Sequence, residues 1–302
     1  VLFRSCELRV EGLGKQLARE LAEIRYTPAA ENKEGWMAGF EQLVQKLAEV
    51  VVARTICTFP WSDSAQIECE PLNSTTGGRP DFVVTTSEHV WLFEVKCPSF
   101  IKHQEVRQSR GNQLPIRSPL IDSFKDTRED VTLPRDNTLK DFLTSAEKKF
   151  RGFSEKPTTG ILVVAWDMNM YEAIAVLSHP KAGLLTANSW HKEGGERVHF
   201  DAVSGVIVLN RLYYLAAGAQ EAFDPREFDP FELGGNGSPP NTWCPNLGIG
   251  DLEENLAHHF DAWHFAGTAV AAGYVLLEHC MRFVASRQAP AFRPIGRRVS
   301  VS

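Results

Sequence analysis

An α/β fold with a mixed central sheet flanked by helices is expected from the way apolar periodicity changes along the chain. Helical spacing dominates residues 37–54, strand-like runs follow in succession near 66–70, 81–85 and 90–96, and helical spacing returns from residue 137. Three consecutive strands between two helices exclude a repeating βαβ unit while keeping the fold in the α/β class.

The elements are predicted in order from their own residues. Leu17, Leu21 and Ile24 mark a helix over 12–24. Phe40, Leu43, Val44, Leu47, Val50 and Val51 mark a longer one over 37–54, entered near Gly35 and Gly39. A short strand is expected at about Gln66 to Glu70, and the loop Asn73-Ser-Thr-Thr-Gly-Gly78 then leads into a hairpin from Asp81 to Lys96. Residues 98–136 are irregular, broken by Pro98, Pro115, Pro119 and Pro134 and made basic by His103, Arg107, Arg110, Arg117 and Lys125. Asn137 is the expected cap of a helix carrying Leu139, Phe142, Leu143, Ala146 and Phe150. Gly160 to Trp166 and Ser204 to Leu209 read as strands, the first buried on both faces by its continuous apolar run. Residues 222–250, rich in Pro, Gly and Asn, read as a linker, and residues 252–285 as an extra C-terminal helical segment. The expected division is one domain over 1–215, with its core at about 36–210 and an insert at 98–136, followed by a linker and helical segment over 216–302.

The 302 residues suffice for a full core, and 43 % hydrophobic with 23 % charged residues is ordinary for a globular protein. A net charge of −6 argues against a passive coat on a polyanion, but leaves room for a local basic groove. The six cysteines, at 6, 57, 69, 97, 244 and 280, lack zinc-ligand spacing, so reduced thiols in a cytoplasmic protein are expected. No signal peptide is read, and the apolar run from Ala266 to Leu277 is too short to span a membrane. The chain begins with Val1 rather than Met, so a native start upstream is expected.

The chemistry concentrates in the hairpin. Its second strand, Val90-Trp91-Leu92-Phe93-Glu94-Val95-Lys96, is apolar until Glu94 and Lys96, which share a face because side chains two apart on a strand do. An antiparallel partner starting at Asp81 would bring that carboxylate to the same end. Charges placed on a dry sheet need compensation. A divalent cation held by Asp81 and Glu94, with the Val95 carbonyl as a third donor, would supply it, and Lys96 would stand beside a phosphate.

Pro80-Asp81, twelve intervening residues and then Glu94-Val95-Lys96 resemble the motif of the PD-(D/E)XK nuclease superfamily. The likeness covers residues 36–166, a little under half of the chain. It implies a restriction-endonuclease-like core of a helix, a three-stranded meander, a second helix and a further strand. It also implies phosphodiester hydrolysis with Mg²⁺, for which Mn²⁺ can substitute, on nucleic acid and first of all DNA. In this likeness a glutamate of the first helix joins the site, with Glu41 the candidate and Glu49 its competitor. The second helix offers Lys149 as an accessory group, with Lys148 as the fallback. The insert over 98–135 would be either a DNA-contacting loop or a disordered segment, and a homodimer would allow both strands of a duplex to be cut.

Other readings stay open at this point. The same fold could serve as a catalytically inactive module binding nucleic acid or protein. Alternatively, Glu94 and Lys96 could simply line a solvated face of a partner-binding protein. His258, His259 and His264 are expected to be ordinary helix-surface histidines rather than a metal cluster. Leu212-Tyr213-Tyr214 and the stretch from Phe223 to Phe231 are expected in core packing or subunit contact rather than base stacking. The tail with Arg293, Arg297 and Arg298 is expected to be solvated.

Overall fold

The computed structural model describes residues 3–24, 33–101, 103, 105, 112–113, 131–132, 134–167, 170–220, 229, 231–233, 240–246, 248–249 and 252–264. Its helices are α1 (Arg4–Arg9), α2 (Leu13–Glu23), α3 (Lys33–Thr58), α4 (Asp136–Phe150), α5 (Met170–Ser178), α6 (Leu212–Ala219) and α7 (Glu254–His259). The strands are β1 (Gln66–Cys69), β2 (Phe82–Thr85), β3 (Val90–Lys96), β4 (Asn112–Gln113), β5 (Val131–Thr132), β6 (Thr158–Ala165), β7 (Lys192–Glu193), β8 (Glu196–Arg197), β9 (Gly205–Leu209), β10 (Asn241–Pro245) and β11 (Ala262–His264).

Seven of these strands form one mixed sheet in the order β1-β2-β3-β6-β9-β10-β11. β1, β2 and β3 are an antiparallel meander, β6 and β9 join parallel to β3, β10 runs antiparallel to β9, and β11 is parallel to β10. The connection from β3 to β6 passes through α4, and that from β6 to β9 through α5. The α/β class and the mixed, helix-flanked sheet are therefore as expected from the sequence.

The sheet separates two apolar layers. Phe82, Val84, Phe93, Val95, Ile161, Val163, Ile207 and Trp243 pack with α3 and the helices around it. Val83, Val90, Leu92, Leu162, Val164, Val206 and Val208 pack with α4 and α5. Alternate residues of each strand serve opposite layers, which is why the central strands read as unbroken apolar runs. Ala48, Val50, Val51, Val52 and Ala53 of α3 are all buried. A helix apolar on every side needs cover on every side. The sheet supplies one face, and α1, α2 and α6 supply the rest.

Several expectations change. α4 starts at Asp136, one residue before the predicted cap Asn137. The boundary drawn after residue 215 does not fall at an edge of the sheet: β10 and β11, from the stretch read as linker and terminal helix, extend it by two strands. Within the segment expected to be helical, residues 254–259 are α7, Ala262–His264 are a strand, and residues 265–285 lie outside the described residues. His259 is not a free surface side chain, because its Nε2 lies 3.0 Å from the Thr55 carbonyl and 3.2 Å from Thr58 Oγ1 of α3. Tyr213 and Tyr214 sit on α6, whose Leu212 and Leu215 are buried. No helix among the described residues is long and apolar enough to cross a membrane.

A buried polar network closes the segment between β3 and α4. Arg135 donates to Glu172 through its backbone N–H at 2.7 Å and through Nη2 at 2.6 Å, and to Asp167 at 2.8 Å. Its guanidinium also lies 4.1 Å from the ring centroid of Trp166. Of the basic residues between 98 and 136, His103 is described, whereas Arg107, Arg110, Arg117 and Lys125 lie outside the described residues, as do Phe223, Cys280 and the arginines of the tail.

Candidate functional site

The register of the hairpin builds the site. Phe82 pairs with Phe93, so Asp81, one step beyond, faces Glu94 across the strands. Both residues belong to the alternate set that points toward α4, with Val83, Val90 and Leu92. The Val95 N–H donates to Asp81 Oδ2 at 2.6 Å and fixes that carboxylate against the end of β3.

Glu94 is fully buried, at 0 % exposure, in a row otherwise occupied by valine and leucine. Two ammonium groups compensate it. Lys96 Nζ and Lys149 Nζ each lie 2.6 Å from Glu94 Oε1. Lys149 is also 4.0 Å from Asp81 Oδ1. The lysines are only partly buried, with side-chain exposures of 22 % and 25 %, so their ammonium groups mark where the pair of acids opens to solvent. Because both lysines take the same oxygen, Glu94 Oε2 is left buried without a hydrogen-bond partner among the described residues.

Burial, and then the charge of Glu94, push the pKa of Asp81 up to about 7. The Val95 N–H opposes the rise, the charge of Glu49 adds to it, and Lys149 opposes it. A carboxyl whose ionisation is resisted by burial and by a neighbouring carboxylate ionises more readily beside a cation.

The helix acids divide differently from the expectation. Glu41 Oε1 accepts from Ser99 Oγ at 3.0 Å and from the N–H groups of Phe100 and Ile101, both at 2.9 Å. Glu41 thus braces the chain as it leaves β3, and Glu49 is the α3 acid whose charge acts on Asp81. Glu49 is tied to Lys46, which also reaches Glu20 of α2 at 3.0 Å. Burial works against the Lys46 ammonium, but the carboxylates of Glu49 and Glu20 outweigh it and hold its pKa above the ordinary lysine value.

Each remaining expectation has a definite place. Lys149 reaches the acids, whereas Lys148 is exposed. The Val95 side chain is buried in the α3 layer, and its N–H is what meets Asp81. The solvated-face reading of Glu94 disagrees with its complete burial. Sequence reasoning missed Asn73, whose side chain joins the end of α4 to the loop before β2. Its signal was present in the turn-forming run Asn73 to Gly78.

The chemistry of the donors fits a hard divalent cation. Two carboxylates converge and each keeps one oxygen outside short hydrogen bonds: Glu94 Oε2, which is unpartnered, and Asp81 Oδ1, with Lys149 at 4.0 Å. Among the described residues no group of three or more His, Cys, Asp or Glu side chains is arranged to hold a metal ion. Cys6, Cys57, Cys69, Cys97 and Cys244 are free thiols. Comparison of the chain with protein-family models, with curated proteins and with solved structures found no match.

Proposed function

We propose that the chain is a divalent-metal-dependent nuclease with a restriction-endonuclease-like core, hydrolysing phosphodiester bonds, first of all in DNA. The observation that carries this reading is the buried Glu94 facing Asp81, with one oxygen unpartnered and two lysines at its side. The order α3, antiparallel meander β1-β2-β3, α4, then β6 parallel to β3 supports it, since this is the succession the PD-(D/E)XK motif implies.

Asp81 and Glu94 would hold the cation, with Glu49 the third acid near enough to tune its charge. The bound cation would supply Lewis-acid polarisation of the phosphate and a water acidified toward hydroxide. Lys96 and Lys149 pair with Glu94 Oε1. Once a scissile phosphate is seated, an ammonium at this rim stabilises the charge gathering on its equatorial oxygens, and Lys96 orients the attacking water. Val95 keeps one oxygen of Asp81 occupied, so the other is the one presented.

The test is incubation with duplex, single-stranded and branched DNA and with RNA, with Mg²⁺, with Mn²⁺ and with chelator. Cation-dependent cutting is expected, lost by at least about a hundredfold in Asp81→Ala and Lys96→Ala, with circular dichroism unchanged. Parental cutting rates in either variant overturn the assignment.

A further inference from the structure

We infer that Asn73 is a positioning residue, holding the end of α4 so that Lys149 meets Glu94; this rests on the reading of that cluster as the active site. Asn73 is 1 % exposed. Its Nδ2 donates to the Lys149 carbonyl at 2.8 Å and to the Arg151 carbonyl at 3.1 Å. Its Oδ1 accepts from Thr75 N–H at 2.9 Å and Thr76 N–H at 3.3 Å. One side chain therefore ties its own loop and caps α4, whose last carbonyls have no partners within the helix.

Two further contacts act at the same place. Thr75 Oγ1 donates to the Gly152 carbonyl at 2.9 Å. A Cβ on Gly78 would lie 2.9 Å from Lys149 Cα, so the loop backbone rests directly against the residue that supplies the amine. The loop then runs through Pro80 into Asp81, while its Asn73 end grips Lys149. The separation between carboxyl and amine is thus set across one short segment. These contacts converge on Lys149, the α4 lysine whose side chain reaches Glu94.

The experiment has two readouts. First, the wild-type chain and Asn73→Ala are treated with an amine-acylating reagent, and labelling of each lysine is measured by mass spectrometry. Labelling of Lys149 is expected to rise severalfold, while that of Lys156 and Lys181 stays unchanged. Second, cleavage is compared for Asn73→Ala, Lys149→Ala and the double variant. Asn73→Ala is expected to lower kcat by about tenfold to a hundredfold with little change in KM. It should add no further loss in the Lys149→Ala background. If Asn73→Ala does not fold, Thr75→Val, at an exposed position, carries the same tests in milder form. Unchanged Lys149 labelling, or fully additive losses, overturns the inference. A wild-type chain that cuts no substrate defeats the hydrolase reading alone, because the labelling arm still decides whether the clamp exists.

Discussion

At the scale of single residues, the energetics centre on one glutamate placed where a leucine would pack. Breaking a buried ion pair by removing one partner costs about 3–5 kcal/mol, whereas an apolar replacement can be neutral. An apolar residue of similar volume at Glu94 is therefore expected to leave the fold intact, whereas removing Lys96 or Lys149 leaves a buried charge less compensated. Asp81 makes the same argument through pH. Its folded pKa of about 7 lies above the ordinary aspartate value of 3.8. Its contribution to stability is therefore fully present below pH 3.8 and is lost as pH rises through 7. Asp81→Asn keeps an oxygen for the Val95 N–H and cannot ionise. In chelator, its unfolding free energy should match the parent near pH 4 and exceed it above pH 7, by up to about 4 kcal/mol. A difference that does not vary with pH would show that this carboxyl titrates normally.

At the scale of elements, what could be read from the sequence followed from how strongly local pattern is tied to burial. The hairpin was legible because Val90 to Val95 must be buried on both faces, so the appearance of Glu94 in that row was conspicuous. α3 was legible from its spacing. β10 was not: Asn241-Thr-Trp-Cys-Pro is five residues set among turn formers, and it becomes a strand because β9 offers an edge and Trp243 fills the α3 layer. The choice between Glu41 and Glu49 was equally hidden. Both occupy the same helix, and only the exit path of β3, which takes up Glu41, separates them. Helix-to-strand packing also fixes where glycine is required. A Cβ on Gly160 of β6 would collide with the Ala202 carbonyl and come within 2.7 Å of the Phe150 ring of α4. Gly160→Ala should therefore lower unfolding free energy by about 1–3 kcal/mol in urea titration, and because it shifts α4 it should also reduce cleavage. An unchanged midpoint would mean that the β6–α4 packing is looser than the structure shows.

At the scale of the whole molecule, one sheet runs from β1 to β11 and divides two apolar layers, with the acids at the rim where β2 and β3 meet α4. Because β10 and β11 complete that sheet, residues 241–264 belong to its architecture. A chain ended at residue 215 would leave Ile207 and Val208 of β9 without their β10 partners, and should unfold less cooperatively than the full chain. An equally cooperative transition would restore the boundary read from sequence. The most direct test of the central claim is calorimetric titration of Mn²⁺ into the full chain beside Glu94→Gln and Asp81→Asn. Saturable binding by the parent is expected, with protons released at pH 6, and binding weakened at least about tenfold in each variant. Absence of binding by the parent, or equal affinity in all three proteins, would contradict it.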